Sequence, residues 1–591
     1  MCRIAGIILD RPTDNTALVT AMANVMAHGG PDDDGIYVHE AEGIALAHRR
    51  LALIDLSPSG HQPMQSKSGK TIIVFNGEIY NYQEIKKQLL QKGYAFTSTS
   101  DTEVVLAAYE EWGTASFTMF NGMFAMALYN VEERKLVLVR DYAGIKPLYY
   151  HKIANEIYFA SEVKAFKQIH RGWNENPLWK QLFLIYGFIP EPYTTLENVY
   201  ALPKGHYAEI DVANNQFSLQ AFYKPSFNYT IHNEEEAVGL LKEKLSAAVK
   251  RHLISDAPIG LFLSGGIDSS LLTLLAQPFV EQNLHTLSVV FEDEKFSEKK
   301  YQDLIINKTG ANHKSFLVTE RDFFESLPDI LAAMDQPSND GINSYFISKY
   351  AKAYGLKAVL SGLGADELFG GYPSFNREQL ITKARILPES ILHFAGNALP
   401  GQYKKLAFLS LQNTLQGNYL FNRGFFTPKQ AAALLDCSEE EIIQHINALN
   451  SLVTDASCDL SYGEQTSFAE FNIYMQNQLL RDTDYMSMWH SIEVRVPFLD
   501  KEIIQLAHVI HPSIRFKKNE GKHLLIKAFK DILPEEIWNR KKQGFVFPFE
   551  KWMCKVNLDD TSAPVIRMQQ QLQQGKIHWS KYWCFLLAKH F

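Results

Sequence analysis

The second residue of the chain is a cysteine, Cys2, and a strand-like apolar run follows it directly in MCRIAGIILD. Removal of the initiator methionine would place the α-amine of Cys2 beside its own thiol. An unperturbed α-amine titrates at about 7.7–8.0, so it could accept a proton from the thiol or pass one to a leaving amine. By position alone, Cys2 could equally be a tolerated cysteine at a frayed terminus. The residues that accompany it decide between these interpretations.

Polar side chains follow strand-like segments at three places downstream of Cys2. In FNGEIYN, Asn76 and the backbone N–H of Gly77 could stabilise the oxyanion that forms when a thiolate attacks an amide. If that amide belongs to glutamine, a guanidinium from Arg50 could bind the α-carboxylate, and Glu78 or Asp101 could bind the α-ammonium. Each motif also has a structural explanation, because Asn-Gly is common in hairpin turns and an acid at a helix start favours the helix dipole.

A glycine-rich turn lies between a strand-like and a helix-like segment in APIGLFLSGGIDSSLLTLLAQ. Glycines let backbone N–H groups approach phosphate oxygens, and the N-terminus of a helix, here expected around Ser269, adds its positive dipole end. The Lys-Ser or Lys-Thr pair of a Walker A loop is absent, so transfer of a γ-phosphate is not indicated. The candidate donors of this loop are Ser264, Gly265, Gly266, Ser269 and Ser270.

Two acidic residues accompany such glycine-rich turns. Asp268 lies in SGGIDSS, and Asp366 lies in SGLGADELFGGY, where Glu367 follows it. Mg²⁺ prefers oxygen ligands that are shared with phosphate groups, so these carboxylates could hold a magnesium–pyrophosphate unit. Taken singly, each could be a solvated acid at a helix terminus.

The elements that would position these residues suggest two domains. A chain of 591 residues exceeds what one hydrophobic core usually supports. The pattern changes near residue 225, and we predict domains at 2–210 and 228–591. In the second, strands at LHTLSVVF and LKAVLSG alternate with helical patterns, which predicts a mostly parallel sheet. Ligands of such sheets bind at the carboxyl ends of the strands.

Composition excludes several classes of function. The net charge is −8, and no run of basic residues suggests a nucleic-acid surface. No segment approaches the roughly 20 apolar residues that span a bilayer, so we expect no membrane partner and a cytoplasmic location. The five cysteines lack CxxC spacing, which favours neither a disulfide framework nor a zinc site. Small-molecule substrates fit this composition best.

The motifs of the first half resemble the class II glutamine amidotransferase domain. The resemblance covers MCRIAGI, HGGPDDDG, AHRRLALID, FNGEIYN, SDTEVVL, GMFAMALYN and RDYAGIKPLYY. It implies an α+β N-terminal-nucleophile sandwich, with two antiparallel sheets between helical layers and Cys2 as the nucleophile. The family usually has arginine where Gly29 stands. The implied oxyanion hole and glutamine-binding residues are Asn76, Gly77, Arg50, Leu51, Ile54, Glu78 and Asp101.

The second half resembles the ATP-pyrophosphatase superfamily through SGGIDSS, and the synthetase domain of the glutamine-hydrolysing asparagine synthetase family through SGLGADELFGGYPSF, RDTDYMSMWHSIEVRVPFLD and LPEEIWNRKKQGFVFPFEKW. This implies an α/β domain with a parallel sheet and a helical C-terminal part, which uses ATP and Mg²⁺. Lys542 aligns with the family's catalytic lysine, and Asp268 and Asp366 with its metal ligands. The implied ATP-binding residues are Leu263, Ser264, Gly265, Gly266, Asp268, Ser269, Val289, Ser361 and Gly362.

The implied reaction is glutamine-dependent amidation of a carboxylate through an acyl-adenylate, with aspartate as the default acceptor and a homodimer as the family's usual assembly. Asparagine-forming members usually show glutamate at the position of Leu363. Leucine neither ligates a cation nor attracts ammonium. Two alternatives therefore stay open: amidation of another carboxylate, such as a sugar acid of surface polysaccharide or a secondary metabolite, and a glutaminase with a degenerate synthetase module. A ligase that uses another amine is disfavoured by Cys2.

Overall fold

A computed structural model describes residues 2–9, 11–169, 172–214, 216–280, 284–293, 298–411, 414–449, 460–540 and 547–591. Within these ranges no helix is both long enough and apolar enough to cross a membrane.

Twelve strands form two six-stranded sheets in the first part of the chain. The orders are β10-β8-β9-β1-β3-β2 and β12-β11-β7-β6-β5-β4, and the assigned neighbours pair antiparallel. The strands are β1 Arg3–Ile8, β2 Asp33–His39, β3 Ile44–Arg50, β4 Met64–Gln65, β5 Thr71–Ile79, β6 Gly122–Asn130, β7 Lys135–Arg140, β8 Tyr149–Ile153, β9 Glu156–Ala160, β10 Val199–Ala201, β11 His206–Asp211 and β12 Gln216–Ala221.

The two sheets pack face to face between helices. Ile4 and Leu46 of one sheet share a buried cluster with Val74 and Ala127 of the other. The opposite faces are covered by α1 Thr16–Asn24 on one side, and by α2 Tyr82–Gln91 and α3 Asp101–Trp112 on the other. Because most of these strands bury apolar residues on both faces, each sheet must be covered on both sides. The predicted N-terminal-nucleophile sandwich is therefore confirmed.

A five-stranded parallel sheet follows, in the order β15-β14-β13-β16-β17. Its strands are β13 Ile259–Phe262, β14 His285–Val290, β15 Asn312–Leu317, β16 Ala358–Leu360 and β17 Glu493–Arg495. The chain leaves β13 toward β14 and later returns to β16 on its other side. Such a change of direction opens a crevice at the carboxyl ends of β13 and β16, which is where ligands of open α/β sheets bind.

Helices cover this sheet and make up most of the C-terminal part, as predicted. Among them, the helix Glu234–His252 has acids in its opening turn, bases in its closing turn and an Asn233 cap, all of which stabilise a helix. They are α4 Trp179–Tyr186, α5 Glu234–His252, α6 Ile267–Val280, α7 Lys299–Thr309, α8 Glu320–Ala333, α9 Ile342–Ala353, α10 Ala365–Phe369, α11 Glu378–Ala384, α12 Glu389–Ala398, α13 Thr414–Arg423, α14 Pro428–Leu435, α15 Glu439–Ala448, α16 Tyr462–Ala469, α17 Arg481–Trp489, α18 Lys501–Val509, α19 Pro512–Arg515, α20 His523–Phe529, α21 Glu535–Trp538, α22 Phe549–Trp552, α23 Ala563–Gln573 and α24 Trp579–His590.

Two local features differ from the sequence interpretation or extend it. Helix α6 begins at Ile267, two residues before the predicted start, so Asp268 lies inside its first turn. Residues Glu470–Leu480 form a π-helical segment that joins α16 to α17 without a break. The predicted domain limits, 2–210 and 228–591, stay a prediction, and β12 adds a strand to the second sheet beyond residue 210.

Candidate functional sites

The first site surrounds Cys2 at the start of β1. Its backbone nitrogen donates to Asn76 Oδ1 at 3.1 Å, which ties the terminus to β5 in the facing sheet. Asn76 is fully buried, and its Nδ2 bonds no described residue. A buried amide donor without a partner is costly unless a ligand completes it. Asn76 therefore offers a free N–H beside the thiol.

Burial also controls the chemistry of the thiol. It raises the pKa of Cys2, while a hydrogen bond from the Leu51 backbone and the positive charge of Arg50 act in the opposite direction. A buried thiol with a raised pKa needs a base to become a nucleophile. The α-amine freed by removal of the initiator methionine would be that base.

Gly77 brings β5 unusually close to β6. A side chain at this position would collide with the carbonyl oxygen of Met123, and its Cβ would lie 2.7 Å from Phe124 Cα. Only glycine allows this close approach without displacing the neighbouring strand. The Asn-Gly pair therefore lies within a strand, and the hairpin-turn alternative for it is wrong.

Arg50 ends β3 and turns its guanidinium into the loop that follows. It donates to the carbonyl oxygens of Ser57, at 3.0 Å, and Asp55. A side chain on Gly60 would collide with this guanidinium. Arg50 is thus fixed by neutral backbone acceptors, which leaves its charge uncompensated by any carboxylate within hydrogen-bonding distance among the described residues. Leu51 is buried and Ile54 half-buried in the same loop.

The two predicted carboxylates lie near each other at the far end of β5. Asp101, the first residue of α3, accepts a hydrogen bond from the Ile79 N–H at 2.9 Å. Burial raises the pKa of Asp101 to about 6, and it raises that of Glu78 well above the usual range. Both groups would gain from a cation, because desolvated carboxylates are stabilised by opposite charge. The structure thus brings together the residues predicted to bind glutamine.

Arg495, which the sequence interpretation missed, connects this site to the parallel sheet. It ends β17, and its Nη2 lies 3.4 Å from Glu78 Oε1 while its Nε donates to Glu493 at 2.6 Å. All three side chains are buried. β17, the edge strand of the parallel sheet, therefore contacts the glutamine site through Arg495.

The second site is built on the loop between β13 and α6. Ser264 Oγ and Ser269 Oγ are 3.0 Å apart, and the N–H of Gly266 donates to Ser264 Oγ at 3.3 Å. Gly265 has a φ of +80°, which favours glycine, and packs against Tyr301. Ser270 Oγ is buried and bonds no described residue. These contacts hold a compact turn with spare donors at a helix N-terminus, which suits a phosphate group.

Asp268 and Asp366 converge on one ammonium group. Lys522 Nζ lies 2.7 Å from Asp268 Oδ1 and 2.6 Å from Asp366 Oδ1. Lys522 is buried, and its backbone φ of +58° is rare for a residue with a side chain. Its charge offsets two carboxylates that would otherwise repel each other. The sequence analysis gave Lys522 no role.

The same two carboxylates are a suitable donor pair for Mg²⁺, which takes oxygen ligands from one or two acids and from phosphates. No group of three or more His, Cys, Asp or Glu side chains in the described part of the chain could hold a metal ion. Phosphate oxygens would have to complete the coordination of any magnesium ion here.

The remaining predicted nucleotide residues line the crevice between the strands. Leu263 is buried directly after the end of β13, and Val289 is buried within the last two residues of β14. Ser361 follows β16, and its N–H donates to the Arg495 carbonyl oxygen at 2.8 Å. A Cβ on Gly362 would lie only 2.7 Å from the Cβ of Asp268. Glycine at 362 therefore lets the two loops meet.

Lys542 lies outside the described residues. Two residues before it, Arg540 Nη2 donates to the Gly265 carbonyl oxygen at 3.0 Å and to Glu298 at 2.7 Å, and its guanidinium lies over the Tyr301 ring. The chain therefore reaches the phosphate loop immediately before the segment that contains Lys542.

Comparison with known proteins supports both halves. Residues 1–223 match the model of a glutamine amidotransferase domain, and residues 240–576 match that of asparagine synthase. Asparagine synthetase 1 of Bacillus subtilis, glutamine-hydrolysing, is 34% identical over 94% of this chain and 88% of its own length. The chain belongs to the asparagine synthase family. Since its relatives of this name are ligases, the protein is an enzyme.

Further relatives carry either the same kind of name or a different one. A putative asparagine synthetase of Mycobacterium bovis is 29% identical over 93% of this chain and 87% of its own length. An amidase, chry2, of Gibberella zeae is 26% identical over 90% of this chain and 84% of its own length. Membership of the asparagine synthase family therefore does not identify the acceptor carboxylate, which must be inferred from the site itself.

The structure accounts for the departure from the family at Gly29. A Cβ there would lie 2.8 Å from Arg3 Cγ and 2.9 Å from Arg3 Nε, so the space is already taken by Arg3. Arg3 is fully buried and pairs with Glu162 at 2.6 Å and with Asp484 of α17 at 2.7 Å. Arg3 follows Cys2 directly, so this ion pair joins the nucleophile strand to the synthetase half.

Leu363, the other departure, is half-buried and packs against the core of the parallel-sheet region. Glu367 is fully buried nearby, accepts from the Tyr372 hydroxyl at 2.6 Å, and has its pKa raised to about 7 by burial. Leucine at position 363 thus makes an apolar contact where asparagine-forming members usually have glutamate. The carboxylate of Glu367, four residues later, bonds the hydroxyl of Tyr372.

Proposed function

We propose that this enzyme amidates a carboxylate with nitrogen from glutamine and energy from ATP, through an acyl-adenylate, with L-aspartate as the default acceptor. The observation that supports the proposal is the presence of two candidate sites in one chain, joined where Arg495 of the parallel sheet meets Glu78 of the glutamine site. Neither site alone would require this buried contact.

In the first half-reaction, the Cys2 α-amine takes the thiol proton, and the thiolate attacks the side-chain amide carbon of glutamine. The oxyanion that forms accepts hydrogen bonds from Asn76 Nδ2 and the Gly77 N–H. Arg50 binds the substrate carboxylate, and Asp101 and Glu78 bind its ammonium. The α-amine returns the proton to the leaving nitrogen, ammonia departs, and water hydrolyses the thioester to glutamate.

In the second half-reaction, an oxygen of the acceptor carboxylate attacks the α-phosphorus of ATP, and the bond to pyrophosphate breaks. The loop at Ser264–Ser269 and Lys522 would hold the departing pyrophosphate, and Mg²⁺ at Asp268 and Asp366 would neutralise its charge. Leu263 and Val289 would enclose adenine beside Ser361 and Gly362. Ammonia then attacks the acyl carbon, and AMP leaves. The role of Lys542 at the adenylate stays a prediction.

A second candidate is amidation of a carboxylate other than aspartate, and Leu363 is the observation that favours it. An apolar side chain in place of glutamate removes one charge that could organise a small amino acid or incoming ammonium. The third possibility, a glutaminase with a degenerate synthetase half, fits poorly with the preserved arrangement in which Lys522 pairs with both Asp268 and Asp366.

Exchange of labelled pyrophosphate into ATP tests the proposal. The assay is run with aspartate, glutamate, glucuronate and other acids, and glutamine hydrolysis is measured in parallel. We expect exchange that depends on one of the acids. Glutamine hydrolysis with no exchange for any acid would contradict the synthetase assignment and leave only the glutaminase.

A further inference from the structure

A guanidinium with spare donors lies beside the nucleotide site, in the helical region for which the sequence offered no chemical interpretation. Arg423, the last residue of α13, lies between two aromatic rings, 3.5 Å from the Tyr474 ring centre and 4.5 Å from that of Tyr372. Its Nε donates to Glu470 at 2.6 Å. Its two terminal nitrogens bond no described residue, and 23% of the side chain is exposed.

The chain connects Arg423 directly to the acids of the nucleotide site. The N–H of Gly371, just before Tyr372, donates to the Asp366 carbonyl oxygen at 2.9 Å. A side chain on Gly371 would collide with the Asp366 carboxylate and lie 2.6 Å from Lys522 Cε. Tyr372 therefore bridges the carboxylate–lysine group on one side and the Arg423 guanidinium on the other.

A purely structural role for Arg423 explains only part of this arrangement. The pair with Glu470 uses Nε alone, and Glu470 already accepts from Ser374 Oγ at 2.8 Å. Both aromatic rings contact the guanidinium, and its two terminal nitrogens stay available to a ligand. A planar, oriented fork of this kind suits a carboxylate, which it can bind through two parallel hydrogen bonds.

Acids that could accept hydrogen bonds from an amino group lie close by. Glu367 contacts Tyr372, and Asp340 at the start of α9 lies near enough to Arg423 and Tyr474 to interact electrostatically with both. Glu470 and Tyr474 belong to the π-helical segment, and such segments frequently mark functional positions. Three separate stretches of chain thus bring polar side chains close to Arg423, near the acids of the nucleotide site.

We propose that Arg423 binds the non-reacting carboxylate of the acceptor, and that the acceptor is therefore a dicarboxylic acid. This inference rests on the proposed synthetase function. Aspartate fits, because its α-carboxylate would meet Arg423 and its ammonium would meet Glu367 or Asp340. A sugar acid with a single carboxylate would leave the guanidinium without its partner.

A pair of acids that differ only by the second carboxylate gives the sharpest test. β-Alanine is aspartate without its α-carboxylate, and glucuronate is compared with the diacid glucarate in the same way. Acid-dependent pyrophosphate exchange is measured for wild type, Arg423→Met and Arg423→Lys. The control is Arg377→Met, because Arg377 is an exposed arginine that bonds Asn422 at 3.0 Å at the surface. Glutamine hydrolysis and the KM for ATP confirm that each variant is folded.

Wild type is expected to prefer one of the diacids over its single-carboxylate counterpart by about 10- to 100-fold in kcat/KM, as for loss of a charged bidentate contact. Arg423→Met should remove that preference, chiefly through KM for the diacid, with KM for ATP and glutamine hydrolysis unchanged. Arg423→Lys should retain part of the preference for the diacid, and Arg377→Met should retain all of it.

Two results would overturn the inference while leaving the proposed function intact. One is preferred exchange with a single-carboxylate acid by wild type, and the other is an undiminished preference for the diacid in Arg423→Met. Absence of exchange with every acid in wild type would instead refute the synthetase function, and the inference with it.

Discussion

The residues of the glutamine site and those of the nucleotide site are held in place by different means. In the first, the key donors Asn76 and Gly77 lie on one strand that pairs along its length with β6, and Cys2 is bonded to that strand. In the second, Asp268, Asp366 and Lys522 come from the starts of three separate helices, and charge rather than strand pairing holds them together. A site built on one strand is positioned by backbone pairing, whereas a site assembled from separate helix starts needs a counter-ion.

The largest effect should come from removing the nucleophile. Cys2→Ala is expected to reduce glutamine hydrolysis by roughly 10⁴-fold or more, because the thioester cannot form. Amide formation from free ammonia should persist, since the nucleotide site is separate. Glutamate release is measured by a coupled assay, with Cys437→Ala as a control far from the site.

Extra residues before Cys2 should be as damaging as the substitution, because they remove the free α-amine. A variant with such an extension that hydrolyses glutamine at the wild-type rate would show that the amine is not the base.

A change to either acid that is predicted to bind Mg²⁺ should impair the synthetase half alone. Asp268→Asn and Asp366→Asn are each expected to lower pyrophosphate exchange by about 10²–10³-fold, the usual cost of losing an electrostatic group at a reacting centre. Glutamine hydrolysis should be largely retained. Asp531→Asn, which removes only an exposed pair with Lys242, is the matched control. Full exchange in either site variant would exclude that acid from the reaction.

Lys522 should give a smaller loss in the same half. Lys522→Met leaves two neighbouring carboxylates without their ammonium, and we expect exchange to fall by about 10–100-fold, with a higher magnesium requirement. Lys527→Met provides the control, since Lys527 lies on α20, which begins directly after Lys522, but pairs with Glu234 and with Glu235, the latter at 2.9 Å. Equal behaviour of the two variants would assign Lys522 a merely structural role.

These two sites also differ in how much the sequence could reveal. Short motifs identified Cys2, Asn76 and Asp101, because MCRIAGI, FNGEIYN and SDTEVVL each show a local pattern around the residue in question. Lys522 and Arg423 could not be found in this way, since each acquires its role only when segments far apart in sequence meet. Lys522 carries no local signal of its role, because its unusual backbone conformation and its two carboxylate partners are visible only in the fold.

Contacts between the two halves were harder still to predict. Arg495 and Arg3 each look like an ordinary strand residue in the sequence, and only tertiary packing shows that they pair with Glu78 and Asp484. The parallel sheet of the second half, by contrast, was predicted from alternating strand and helix patterns, which are local, and the N-terminal-nucleophile sandwich was implied by the resemblance of short motifs to the class II glutamine amidotransferase domain.

The smallest expected effect is a pH dependence confined to the glutamine site. Burial raises the pKa of Asp101 to about 6, so its carboxylate loses charge as the pH falls through that value and binds the glutamine ammonium less well. Between about pH 7.5 and pH 5.5 the KM for glutamine should rise about three- to fivefold, and Asp101→Asn should have a high KM without this dependence. An unchanged pH profile in Asp101→Asn would assign the titration to another group.

The stoichiometry of the complete reaction tests the central claim most directly. Glutamate, AMP and pyrophosphate are quantified in one reaction with glutamine, ATP, Mg²⁺ and each acid in turn. Two coupled sites predict that, for the true acceptor, the three products form in equal amounts along with one amide. Glutamate that accumulates without AMP for every acid would contradict the account.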